Sequence, residues 1–433
     1  MEKIVLGKDE SDLKKYGDKG TALIGRHIVG TGDDAHLTNY VHVDVTRPHV
    51  ILVCGKRGTG KSYSAGTFVE EIARLPDDIR KNLAVLMIDT MGIYWSMKTP
   101  NERDAELLKT WGLKPEALDA KLFVPQAFKK EYEDSGVDVD STFSFSPTDL
   151  TATDWIITFG FSPIDEHGIA IERIIKKVRK NMGNKYRIDD IIEEINADER
   201  TDKKIRDSLA NRFSAAEEWG IFSEEGLSVE DLLAPGQISI LDISHFTRTS
   251  GAWSVRSLVV GLLSSKIFQE RLMARKKEEY GLMTGAMKKT IPMVWIMMDE
   301  AHQFLPAEGE TAASGALLTL VKEGREPGIS LLFITQMPNK LHPDALSQSD
   351  LIMSHRLTSA KDINALSSIM QTYMLGDIQD YINDLPRMKG AAIMLDDNSE
   401  RIYPIQARPR LSWHAGGSPC AIKEKGLLGD DDE

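Results

Sequence analysis

The sequence predicts an α/β fold built on a mainly parallel sheet with helices on both faces. Three observations carry this. Residues 50–53, 83–89, 237–243, 293–298 and 330–336 form short, near-continuous apolar runs. Strands buried on both faces of a parallel sheet read this way, whereas half-exposed strands alternate. Longer stretches of helical spacing lie between these runs, as crossover connections require. Finally, the first run passes directly into Gly55-x-x-x-x-Gly60-Lys61-Ser62 and then into a helix-compatible stretch, residues 63–75.

That third observation also carries chemistry. Gly55, Gly58 and Gly60 allow a tight turn that aims backbone N–H groups inward, and the helix start adds partial positive charge. Lys61 supplies a cation for β- and γ-phosphates, and Ser62 a hydroxyl for Mg²⁺. The expected nucleotide contacts are Gly55, Gly58, Thr59, Gly60, Lys61, Ser62 and Tyr63. A chance glycine-rich turn is the plain alternative; the flanking strand and helix argue against it.

Composition bounds the rest. The chain has 433 residues, 41% hydrophobic and 27% charged, enough for one large globular domain or two to three smaller ones. No apolar run approaches the length that spans a bilayer, and the first residues, Met1-Glu-Lys-Ile-Val-Leu, do not read as a secretory leader. Two cysteines, Cys54 and Cys420, suit a reducing cytoplasm. The net charge of −13 excludes a protein that coats nucleic acid over its whole surface. Any DNA contact must be a local basic lining. The acidic end, Gly429-Asp-Asp-Asp-Glu433, reads as a solvated tail.

Taken in order, residues 1–46 read as a small β-rich appendage with strands near residues 22–28 and 40–45. Residues 47–95 and 236–412 form the core. The strand at 83–89 ends in Asp89, which is either a ligand for Mg²⁺ or water, or a turn and cap aspartate. Residues 96–235 read as a mostly helical insertion, with helices at 168–182, 188–196, 203–219 and 229–233, Asp202 opening the third, and a loop at 138–153. Lys176, Lys177, Arg179, Lys180, Lys185 and Arg187 are either a phosphate-contacting patch or a solvated helix face. A long helix is expected at 253–276, and residues 413–433 form a tail.

The strand at 293–298 runs into Asp299 and Glu300. Adjacent acids at a strand end point differently and can divide two jobs: Asp299 holds Mg²⁺ through its water, and Glu300 polarises the attacking water. Gln336, after the strand at 330, is either a γ-phosphate sensor or a strand-end hydrogen bonder. Arg325, between Gly324 and Pro327, is placed to be held out towards a neighbouring subunit's nucleotide.

With these residues in view the chain resembles the HerA branch of the HerA/FtsK family of hexameric DNA-pumping ATPases. The resemblance rests on residues 55–62, 85–94, 296–305, 322–325, 333–343 and 346–357, and on Ala407-Arg-Pro-Arg-Leu. It implies a P-loop, RecA-like core and an ATP- and Mg²⁺-dependent homo-hexameric ring acting on double-stranded DNA, with a partner nuclease or effector and no membrane. By position it makes Lys61 and Ser62 the phosphate and Mg²⁺ contacts, Glu300 the base, Gln336 the sensor and Arg325 a finger acting across subunits, with Arg47 a weaker second candidate and Arg356 structural or allosteric. Residues 306–315 and 276–289 are the pore-loop candidates. Family members commonly carry a fuller N-terminal β-barrel than the fifty or so residues before the loop here. A second reading is an ATP-gated ring scaffold that activates a partner enzyme and translocates little.

Overall fold

The structure is a computed structural model that describes residues 3–31, 34–224, 226–248, 252–286, 290–370 and 378–417. Lys288, Lys289, Cys420 and the acidic tail lie outside them. The described strands are β1 (Lys3–Leu6), β2 (Thr21–Val29), β3 (His36–Asp44), β4 (Val50–Cys54), β5 (Leu83–Asp89), β6 (Ala120–Pro125), β7 (Ser141–Phe143), β8 (Ile238–Asp242), β9 (Met293–Met298), β10 (Ile329–Thr335), β11 (Leu351–His355), β12 (Ala391–Asp396) and β13 (Arg401–Ala407). They form one sheet in the order β1-β3-β2-β13-β12-β11-β4-β10-β9-β5-β8-β6-β7.

From β11 to β7 every neighbouring pair is parallel. The predicted α/β class with a mainly parallel sheet is what the chain adopts. The apolar runs become strands because the pleat sends alternate side chains to opposite faces, and both faces are covered. Ile51 and Val53 join one core with Phe68, Val69 and Ile72 of the helix Lys61–Ala73. Leu52 joins the other, with Leu258 and Leu263 of the helix Ala252–Thr284 and Leu317 of the helix Ser314–Glu323. Each fully buried aliphatic side chain contributes about 1.5–3 kcal/mol. The layers on both faces therefore fix the strand ends from which the site is built.

The antiparallel part runs from β11 through β12, β13 and β2 to β3. It joins the N-terminal strands to the same sheet. β1, parallel to β3, and the helix Glu10–Tyr16 were not expected from the sequence, since four residues and two turns carry too little periodicity.

Residues 96–235 are mostly helical, with helices at Glu166–Met182, Ile188–Ala197, Lys203–Glu217 and Val229–Leu232. Asp202 caps the third by accepting the Lys204 N–H at 2.8 Å. The segment also contributes β6 and β7 to the sheet edge. β7 lies within the stretch expected as loop. It is three residues long, so its partner strand rather than its own pattern specifies it. The helix expected at 253–276 continues to Thr284, so residues 276–284 are helix, not pore loop.

Candidate active site

Parallel strands put their C-terminal ends on one edge, and the predicted chemistry collects there. β4 leads to the glycine loop, β9 to Asp299 and Glu300, and β10, which lies between them, to Gln336. Register pairs Thr335 with Cys54 and Phe333 with Met298. Gln336 is thus level with the first residue of the loop, and Glu300 with Thr335.

Gly55, Gly58 and Gly60 have φ of 150°, 80° and 109°. A Cβ at Gly55 would come within 2.6 Å of the His355 Cβ and 2.8 Å of the Thr59 hydroxyl. His355 is fully buried and its Nδ1 lies 3.1 Å from the Ala391 carbonyl. Burial, with nearby Lys61, pushes its pKa down to about 4, so the ring is neutral there. The Lys56 N–H donates to the Arg356 carbonyl at 3.0 Å, and Arg356 itself reaches the Leu385 carbonyl at 3.0 Å. β11 therefore underpins the loop, with Arg356 in a structural position. Lys61 turns back over the loop and donates to the Lys56 carbonyl at 3.1 Å.

The two distant elements meet. The Ser62 hydroxyl donates to Asp299 Oδ2 at 3.0 Å, and the Tyr94 hydroxyl donates to the same oxygen at 3.4 Å. Gln336 Nε2 donates to Glu300 Oε1 at 3.3 Å. Glu300 sits at φ 50°, in the left-handed region; among the described residues Glu400 is the other non-glycine with positive φ. Such a conformation costs on the order of 1–3 kcal/mol and persists where surroundings enforce it.

Electrostatics follow from burial. Burial, then the neighbouring Asp299, pushes the Glu300 carboxyl up to about 7, against the pull of Lys61. Asp299 is raised by burial, opposed by its hydrogen bonds to Ser62 and the Glu300 N–H. Burial lowers Lys61, opposed by Glu300 and Asp299. The buried Asp299 and half-buried Glu300 carboxyls face one lysine, and Glu300 Oε2 is itself buried without a hydrogen-bond partner. That donor set fits a divalent cation and a water. Among the described residues no three His, Cys, Asp or Glu side chains form a closed metal cage. A cation here would rest on Ser62, Asp299 and phosphate oxygens.

Asp89 is a turn residue. Its carboxylate accepts four backbone N–H groups, from Met91, Gly92, Ile93 and Tyr94, at 2.8–3.1 Å. Those bonds shape the turn that delivers Tyr94 to Asp299. Burial and the adjacent Asp242 carboxylate push Asp89 up to about 8.

The Tyr63 hydroxyl is engaged away from the loop: it donates to Asp104 at 3.2 Å and accepts the Arg410 N–H at 2.8 Å. Arg325 is exposed, in the turn before β10. Seven residues of strand, roughly 23 Å, separate that turn from Gln336. Within one chain Arg325 and the loop occupy opposite edges of the sheet. Arg47 is held bidentately by Asp12 at 2.7 and 3.0 Å. In the basic cluster, Lys177 pairs with Glu194, Arg187 with Glu224, and Arg179 reaches the Thr148 and Leu150 carbonyls.

Two features were missed in the sequence. His302 Nδ1 lies 2.9 Å from the Thr335 hydroxyl and 3.5 Å from Glu300 Oε2. The Asp-Glu-Ala-His string holds its only cue. The second is a strap over the helix that follows the loop. Glu70 pairs with Arg408 at 2.8 Å and Arg410 at 3.4 Å, and accepts the Leu411 and Ser412 N–H groups at 3.0 Å. Burial raises Glu70, but the two arginines outweigh it and hold its pKa below the usual range.

A family model described as "Helicase HerA, central domain" matches residues 23–267, more than half of the chain. The DNA double-strand break repair helicase HerA of Pyrococcus furiosus is 27% identical over 153 residues, covering 31% of this chain and 27% of that protein. The probable DNA double-strand break repair helicase HerA of Methanocaldococcus jannaschii is 35% identical over 69 residues, 16% of this chain and 14% of that one. The matches thus span about a quarter or less of each relative's length. VirB4 of Thermoanaerobacter pseudethanolicus superposes with a TM-score of 0.56 over 90% of this chain and 98% of that one, at 11% identity, a likeness of fold. With its phosphate loop, its strand-end acids and the family-model match over residues 23–267, the chain belongs to the HerA family of P-loop ATPases.

Proposed function

We propose that the chain is an ATP-driven motor on double-stranded DNA, working as a homo-hexameric ring with a partner nuclease or effector in repair or antiviral defence. The observation that carries the ATPase half is the Ser62–Asp299 contact at 3.0 Å, which joins loop and acids into one site. The DNA half is supported by family membership and by relatives named as double-strand break repair helicases. No described helix is long and apolar enough to cross a membrane.

In this reading the loop's N–H groups and Lys61 hold the β- and γ-phosphates, and Ser62 with Asp299 holds Mg²⁺. The ion would neutralise phosphate charge when bound. Glu300 accepts the proton of a water aligned on the γ-phosphorus, and its buried, partnerless oxygen suits that role. Gln336, bonded to the base, is placed to register the γ-phosphate. Arg325 stands at the far edge of its own sheet, so it serves a neighbour's nucleotide. The residue domains proposed are an N-terminal β appendage (1–46), a core (47–95 and 236–412), an insertion (96–235) and a tail (413–433).

The test is ATP hydrolysis by the purified protein with and without duplex DNA, alongside movement along DNA measured by displacement of a triplex-forming strand. Duplex-stimulated hydrolysis with displacement supports the motor. Hydrolysis indifferent to DNA, with no displacement, points instead to the ring scaffold.

A further inference from the structure

We propose that His302 is a positioning residue for Glu300, holding the carboxylate in the orientation that hydrolysis requires. The inference rests on the ATPase reading above and adds to it a residue with no assigned role.

Glu300 begins a short 3-10 turn, Ala301–Gln303, which brings the His302 ring back alongside it. His302 Nδ1 is 3.5 Å from Glu300 Oε2 and 2.9 Å from Thr335 Oγ1. Thr335 is fully buried, and its hydroxyl also accepts the Met337 N–H at 3.0 Å. The ring is thereby pinned to the end of β10. The other Glu300 oxygen is bonded to Gln336, the next residue of the same strand end. One carboxylate is therefore flanked on both oxygens by groups that β10 fixes.

That matters because Glu300 is held at positive φ by its surroundings. The backbone limits which rotamers the side chain can take, and its neighbours decide where the carboxylate points. Its Oε2 is buried and partnerless, a state that desolvation makes unfavourable. With the ring's proton on Nδ1, the N–H would face both the Thr335 hydroxyl at 2.9 Å and this oxygen at 3.5 Å. It can steady the carboxylate while leaving a lone pair for the attacking water. Removing the imidazole leaves Glu300 free to turn away, which slows the chemical step without touching the phosphate contacts.

The test uses the full chain with His302→Ala, His302→Asn, His302→Gln and Thr335→Val, reading kcat and KM for Mg²⁺-ATP, and binding of a fluorescent ATP analogue. Asparagine places an amide where Nδ1 stands; glutamine reaches towards Nε2. The expected results are a kcat lowered about tenfold or more in His302→Ala, with KM and analogue affinity unchanged. Asparagine should restore most of kcat and glutamine should not. Thr335→Val should lower kcat in the same sense, and the double variant with His302→Ala should be no worse than His302→Ala alone. Wild-type kcat in His302→Ala overturns the inference. So does a loss of analogue affinity equal to the loss of turnover, or asparagine behaving like glutamine. Glu300→Gln is run beside them. If it turns over like wild type, the ATPase reading itself fails; if it is dead while His302→Ala is normal, only the His302 inference fails.

Discussion

Ser62 and Asp299, 237 residues apart in the chain, meet at 3.0 Å through one hydrogen bond. The hydroxyl comes from the first turn of the helix after the phosphate loop, the carboxylate from the end of a strand two places away in the sheet. Because a divalent cation would be held by both groups, Ser62 directly and Asp299 through the ion's water, Asp299→Asn should weaken Mg²⁺-ATP binding and reduce turnover about a hundredfold or more. Ser62→Ala should do the same to a smaller degree. Metal titration of ATP hydrolysis checks this. A shift of the Mg²⁺ requirement to higher concentration is expected in both variants.

Arg325 and the phosphate loop lie on opposite edges of the same sheet, so one chain does not bring them together. Arg325→Ala should stop turnover by about a thousandfold while leaving ATP binding intact. Mixing it with Lys61→Ala subunits should restore part of the activity, since each chain then supplies what the other lacks. Hydrolysis at a range of mixing ratios measures this, and a strictly additive, inactive mixture would remove the finger in trans.

Glu70 is 2% exposed and holds two arginines that are fully buried. Glu70→Ala leaves Arg410 buried without its counter-charge and Arg408 with Glu71 alone, 3.1 Å away. It should cost about 3–5 kcal/mol, because breaking one side of a buried pair is worse than never having built it. Chemical denaturation reads this loss. The loop helix should loosen with it, so ATP affinity falls in parallel.

His49, at the entry to β4, bonds to Asp350 at 2.6 Å and lies 3.5 Å from Asp44. Burial opposes its charge, but the hydrogen bonds to Asp350 and Asp44 outweigh burial and push its pKa up to about 9. The folded state thus binds this proton more tightly than the unfolded chain. The stabilisation is full below about pH 6.5 and is lost as pH rises through about 9, a change of roughly 3 kcal/mol. Melting curves from pH 6 to 9.5 should show this decline in the wild type and a flatter one in His49→Asn. Parallel curves would mean the proton is not held there.

How much of this was legible follows from distance along the chain. The phosphate loop is contiguous, so its glycines, Lys61 and Ser62 stand together in the sequence as they do in space. That Asp299 meets the loop was legible because a buried strand ending in paired acids is a natural complement to such a loop. Asp89 was ambiguous because a strand-end carboxylate reads alike whether it meets a metal or four backbone N–H groups. His302 escaped because its meaning depends on Thr335, on another strand. The Glu70 strap joins residues more than 330 positions apart, and no local pattern announces it. The edge strands β1 and β7, and β6 beside the latter, were missed for the same reason: their neighbours specify them.

The central claim is that Lys61, Ser62, Asp299 and Glu300 surround one Mg²⁺-ATP, with Glu300 as the base. The most direct measurement is Glu300→Gln assayed side by side for binding of a fluorescent ATP analogue and for phosphate release. Unchanged analogue affinity is expected, with turnover lowered at least about a hundredfold. Phosphate release at the wild-type rate would contradict the claim.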